Sequence, residues 1–112
     1  FPYEGSASIS TTEYSLPANT TTGVPTAQTD VGVFQAVINF SAMLAGDEYQ
    51  VRLYEKPRAA DAQLIVWQRN LVGPQSQALT TEAMILGRGW ELSVDLISGS
   101  ARTITWSIRK VA

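Results

Sequence analysis

Apolar residues recur at every second position in several stretches of the chain. From Thr103 to Lys110 the sequence reads TITWSIRK, with Ile104, Trp106 and Ile108 on one face and Thr103, Thr105, Ser107 and Arg109 on the other. Such alternation marks a half-buried β-strand. VGVFQAVINFSAM repeats it, with Phe34, Ala36, Ile38, Phe40 and Ala42 on one face and Val33, Gln35, Val37, Asn39 and Ser41 on the other. EYQVRLYEK sets Tyr49, Val51 and Leu53 against Gln50, Arg52, Tyr54 and Lys56. WELSVDLI turns Trp90, Leu92, Val94 and Leu96 toward a core and leaves Glu91, Ser93 and Asp95 facing solvent. QLIVWQRNL has Ile65, Trp67 and Leu71 on one parity and Leu64 and Val66 on the other, so its start is expected to be covered on both sides. ALTTEAMILGRG reads as a short strand.

Turn signals separate these runs. LAGDE bends at Gly46-Asp47, VGPQSQ carries Gly73-Pro74, and PRAADA and SGSA complete the set. The first and second long runs, joined by LAGDE, read as an antiparallel hairpin, and so do the last two, joined by SGSA. No convincing helical period occurs. About seven strands with turns roughly every dozen residues predict an all-β antiparallel sandwich or barrel, jelly-roll or immunoglobulin-like.

Residues 1–30 differ in composition, being rich in Ser, Thr and Pro. SASISTTEYSL has strand-like content, with Ile9, Tyr14 and Leu16 as apolar anchors. PANTTTGVPTAQTD reads as a polar connection too long for a simple link inside a compact domain. The expected organisation is one domain: an extended N-terminal arm and first strand over 1–30, and a sandwich over 31–112.

Composition narrows the chemistry. The chain of 112 residues contains neither cysteine nor histidine. Disulfides, thiolate metal sites and Ser-His or Cys-His nucleophile pairs are therefore excluded. The net charge of −2 gives no polycation for nucleic acid. Charge is nevertheless uneven, since no Lys or Arg precedes Arg52. Two readings stay open: solvated faces of different strands, or a dipolar subunit whose acidic face meets a neighbour's basic one. No apolar run reaches membrane-spanning length. Phe at position 1 in place of Met suggests a removed leader or numbering that starts inside a longer chain.

The candidate sites are few. Asp47 and Glu48 are adjacent and point apart; Glu91 and Asp95 share the parity expected to face solvent, so no carboxylate pair is set across a cleft. No oxygen-ligand run suits calcium, no Ser-x-x-Lys occurs, and GRG at Gly87 to Gly89 is too short for a phosphate loop. Asn19 and Asn39 match the glycosylation pattern. Arg52, Tyr54, Lys56 and Arg58 lie together, and an exposed Tyr54 would stack a base; a sheet-edge or subunit contact is the preferred reading. Val33 and Val37, on the outer parity of their strand, imply a partner if that face is uncovered.

DVGVFQAVINFSAMLAGDEYQVRLYEK, then GW, then ARTITWSIRK resemble a family of small tailed-phage virion proteins encoded among head genes. The resemblance covers about Asp30 to Val111, with the middle loops matching least. It implies a capsid decoration, or cement, protein on the outer surface of the virion head, often trimeric, with the major capsid protein as partner. It implies no enzyme activity, cofactor, metal, nucleic acid or membrane. On this reading Phe1, Pro2 and Tyr3 anchor the arm, and Val33, Val37, Arg52, Tyr54 and Arg58 are interface candidates. Two rivals remain: a tail- or fibre-associated virion β-domain, and a carbohydrate-binding module with Trp67 or Tyr54 as its platform.

Overall fold

The computed structural model describes residues 3–22 and 25–111. Ten strands run in order: β1 (Tyr3–Ile9), β2 (Tyr14–Ser15), β3 (Thr20–Thr21), β4 (Gly32–Asn39), β5 (Glu48–Glu55), β6 (Leu64–Val72), β7 (Leu79–Thr80), β8 (Met84–Leu86), β9 (Glu91–Ser98) and β10 (Arg102–Lys110). They form two antiparallel five-stranded sheets. The first has the order β1-β10-β4-β7, with β8 also on β4, and the second the order β3-β2-β9-β5-β6. No helix occurs among the described residues. The all-β sandwich is as expected, but the two expected hairpins do not form: β4 and β5 lie in different sheets, as do β9 and β10, so LAGDE and SGSA carry the chain across the sandwich. The strand count exceeds about seven because β2, β3, β7 and β8 are two or three residues long, too short to show a period.

The inner faces follow the alternation. Phe34, Ile38, Phe40, Leu92, Val94, Trp106 and Ile108 are all buried, and Trp90 is fully enclosed. Ala42 departs from its row and is exposed, because β4 ends at Asn39; Met43 turns into the core instead.

The expected N-terminal arm is part of the sandwich from Tyr3 onward. β1 pairs along its whole length with β10, from Tyr3 opposite Ile108 to Ile9 opposite Arg102. β2 then crosses to the other sheet and pairs with β9, and Ile9, Tyr14 and Leu16 are buried. Residues 1–30 thus supply strands to both sheets, and their removal would open the core. Phe1 and Pro2 lie outside the described residues. Tyr3, expected as an arm anchor, packs on the core: its ring lies 5.8 Å edge-on to Trp90 and its hydroxyl donates to Asp30 at 3.0 Å.

Gly5 shows why β1 fits. It sits opposite Trp106, whose indole nitrogen donates to the Leu16 carbonyl at 3.2 Å. A Cβ at Gly5 would stand 2.6 Å from Trp106 Cζ2. Gly5→Ala is expected to destabilise the fold by about 1–3 kcal/mol through overpacking. A urea titration checks this, and an unchanged midpoint would show that the indole shifts freely.

A β-bulge reorganises β6. Leu53 pairs with Trp67, but Tyr54 pairs with Ile65, so Val66 is the extra residue. Leu64, Trp67, Arg69 and Leu71 then lie on the inner side, and Ile65, Gln68, Asn70 and Val72 on the outer. The predicted row of Ile65 with Trp67 is broken there. Nor is the start of the strand covered on both sides: Leu64, Ile65 and Val66 are 57%, 48% and 52% exposed.

At one end of the sandwich Asp47 ties the loops together. Its carboxylate accepts from Leu44 N at 2.8 Å, Ser100 N at 3.0 Å and Arg102 Nε at 2.7 Å. Its carbonyl accepts from Gly73 N at 2.9 Å. The Arg102 hydrogen bond, then the two amides, lower its pKa from 3.8 to about 2. A depressed folded pKa stabilises the fold above the ordinary value, and that contribution disappears as pH falls from 3.8 toward 2. Asp47→Asn should therefore lower the melting temperature at neutral pH and lose less than the parent chain between pH 4 and pH 2. Parallel acid curves for the two proteins would exclude Asp47 as the acid-sensitive group.

Candidate interaction surface

The outer face of the first sheet is open. Along β4, Val33 and Val37 point outward and are half-buried, while Phe34, Ala36 and Ile38 point in. Val33 pairs with Ile85 of β8, which is 83% exposed. Val37 pairs with Thr80 and Ser107. A shallow depression of about 280 Å³ adjoins this row, lined by Glu4, Val37, Asn39, Thr105 and Ser107. Hydroxyls of β1 and β10 extend the face, with Ser6, Ser8, Thr103 and Thr105 exposed. The result is a flat, weakly charged surface with an aliphatic strip on it. This matches the placement expected for Val33 and Val37.

The second sheet differs from expectation on its outer face. Glu91, Ser93 and Asp95 are buried, not solvated. The segment from Thr26 to Asp30 crosses the start of β9: Gln28 bridges Trp90, and Thr26 reaches Glu91. Glu91 is fully enclosed and accepts four hydrogen bonds. Oε1 takes Ser15 Oγ at 2.9 Å and Leu92 N at 3.0 Å; Oε2 takes Thr26 N at 2.7 Å and Thr26 Oγ1 at 2.6 Å. Burial raises the Glu91 pKa, and these hydrogen bonds offset part of that rise.

Farther along the same face, Arg52 lies between Glu13 and Asp95, 3.6 Å from each. Tyr54 donates to Glu13 at 2.7 Å, and Ser93 also donates to Glu13. Burial lifts the Asp95 pKa despite Arg52. Arg52 and Tyr54, expected at a partner contact, are thus consumed by an internal network, and Tyr54 is buried with its hydroxyl occupied. Arg58 is solvent-exposed and pairs with Asp61 at 2.9 Å. The structure therefore brings Val33 together with Ile85, sets Val37 farther along the same face beside Thr80 and Ser107, and separates all three from Arg52, Tyr54 and Arg58, which belong to the second sheet and its following loop.

Sequence reasoning missed Ile85, Ser15 and Thr26. The signal for the last two was the long polar connection between Pro17 and Asp30, which has to rest on something; β9 offers hydrogen-bonding groups on that side. Among the described residues no group of His, Cys, Asp or Glu is arranged to hold a metal ion. Comparison of the chain with protein-family models, with curated proteins and with solved structures finds no match.

Proposed function

We propose that this chain is a structural virion protein that binds the outer surface of a phage capsid and stabilises the assembled head as a decoration protein. The observation that carries the reading is a set of outward aliphatic residues, half-buried Val33 and Val37 with exposed Ile85, on an uncovered, weakly charged sheet face. A flat face of this kind suits a broad protein contact better than a small ligand. The resemblance of the segments between Asp30 and Val111 to tailed-phage virion proteins supplies the partner class, the major capsid protein.

The mechanism is area and avidity. A subunit of 12.2 kDa buries modest surface at each contact. Association of copies multiplies the contacts through effective concentration. A protein that binds across capsid-subunit boundaries favours the assembled shell over its separate parts, because only the shell presents the site. The sugar-binding alternative loses one of its two platforms, since Tyr54 is buried against Glu13.

Ile85→Glu tests this surface. Ile85 is almost free of internal contacts, so the fold should be unaffected. Binding to purified expanded heads, read by co-sedimentation, is expected to weaken about tenfold or more, equivalent to about 1.4 kcal/mol. Unchanged binding by a folded variant would remove this face from the proposal.

A further inference from the structure

The two sheets end unequally on one side. The second closes with β6, a strand of nine residues, while the first ends in β7 and β8, pieces of two and three residues held on β4. Such short pieces do not roof the longer strand, and a cleft of about 520 Å³ stays open between β6 and the β7–β8 connection. Small-molecule sites commonly measure about 300–1,000 Å³. Buried Leu53 and half-buried Met84 give the cleft an apolar lining. Trp67 and Arg69 line it from β6, and Glu82 lines it from the connection in the other sheet.

These three side chains are uncommitted. Trp67 pairs with Leu53 and Arg69 with Val51, both core residues, so Trp67 and Arg69 share the inward face. Among the described residues, the side chains of Trp67, Arg69 and Glu82 have no hydrogen-bond or ion-pair partner. The other two indoles differ: Trp90 donates to the Asp30 carbonyl and Trp106 to the Leu16 carbonyl. An inward charge on an edge strand also guards against strand pairing. That duty accounts for Arg69 alone. It calls for neither a free carboxylate across the cleft nor an indole with an idle N–H.

We propose that this cleft binds a neutral saccharide, with Trp67, Arg69 and Glu82 as its contact residues. A guanidinium only donates hydrogen bonds and a carboxylate only accepts them, whereas a hydroxyl does both. Neighbouring sugar hydroxyls therefore satisfy Arg69 and Glu82 together. An anion would face Glu82, and a cation would face Arg69, so a charged ligand meets repulsion from one wall. The electron-rich face of an indole suits the slightly positive C–H groups of a sugar ring. Leu53 and Met84 extend that apolar lining. A purely aliphatic ligand would leave the two charged groups desolvated without partners. None of Val33, Val37 and Ile85 lines the cleft, so this inference stands apart from the capsid reading.

Nitrogen–proton correlation spectra of the full chain test it, because the three Trp residues give three indole N–H signals. The probes are maltohexaose, cellohexaose, mannohexaose and chitohexaose, titrated to millimolar concentration. At least one should shift the Trp67 signal saturably, while the signals of Trp90 and Trp106, held by carbonyls, stay in place. Glu82→Ala and Arg69→Ala remove exposed side chains without internal partners, so the fold should persist. Each should weaken binding about tenfold, as expected for losing a hydrogen bond to a charged group. Four glycans that leave the Trp67 signal unmoved would overturn the proposal. So would a shift produced by sodium acetate or guanidinium chloride and by no glycan, or glycan affinity unchanged in both folded variants.

Discussion

Trp90→Ala should cost about 3–5 kcal/mol of folding free energy, the range for truncating an enclosed Trp. The indole is fully buried where the segment from Thr26 to Asp30 meets the start of β9. Its nitrogen donates to the Asp30 carbonyl at 2.7 Å. Its ring lies 5.1 Å from the Phe34 ring and 5.8 Å from that of Tyr3. Truncation therefore opens a cavity between the sheets and leaves a carbonyl without its donor, two independent losses. Domains of this size have total stabilities of about 5–15 kcal/mol, so the variant stands close to unfolding. Urea denaturation followed by circular dichroism measures the effect. Trp67→Ala is the comparison, because Trp67 is half-buried at the cleft and should lose clearly less. Equal losses would show that the inter-sheet core does not centre on Trp90.

Glu91→Leu is expected to be the second most damaging change. Leucine fills much of the space but accepts no hydrogen bond. The hydroxyls of Ser15 and Thr26 turn elsewhere, but the amides of Thr26 and Leu92 stay buried without an acceptor. Each orphaned amide costs about 1–3 kcal/mol. The segment around Thr26 should also come loose from β9, visible as faster amide exchange at Thr26 and Gln28. Glu91→Gln keeps the shape and one acceptor oxygen and should lose less at neutral pH.

The same pair of variants separates two pH effects. The folded pKa of Glu91 is raised above 4.5, so folding favours its protonated form. That contribution is full below 4.5 and is lost as pH rises through the folded value. Asp47 acts in the opposite sense at lower pH, losing its contribution between 3.8 and about 2. Stability should therefore peak in the weakly acidic range. Glu91→Gln should flatten the decline toward neutral pH and leave the acid limb, set by Asp47, in place. A Glu91→Gln profile that falls toward neutral pH as steeply as the parent's would assign that limb to another group.

Alternation at every second residue was enough to place β4, β5, β9 and β10, because these strands bury one face on the core from end to end. Phe34, Tyr49, Leu92 and Ile104 are enclosed on that account. Short pieces such as β7 and β8 hold two and three residues and carry no period. The bulge at Val66 was hidden for a related reason: an inserted residue shifts parity, and LIVW is apolar at every position. Glu91 was assigned to solvent because an acidic residue on an alternating strand normally points outward. Here the outer face is roofed by the segment around Thr26, some sixty-five residues away in sequence, and whether such a roof exists depends on long-range contacts that periodicity does not contain. Tyr3 belonged to a Ser-rich stretch with small inward residues, Gly5 and Ala7, so β1 gave a weak signal; the room Gly5 leaves for Trp106 becomes evident only once both strands are in register. For the interface, Val33 and Val37 were legible as apolar residues on the outward parity. Ile85 was not, since it lies in a strand of three residues.

The most direct measurement is the copy number of this chain in purified phage particles relative to the major capsid subunit, by quantitative mass spectrometry. A ratio near one is expected for a protein spread over the whole head. A handful of copies per particle would contradict that and place the chain at the tail or a single vertex, and its absence from particles would end the virion reading.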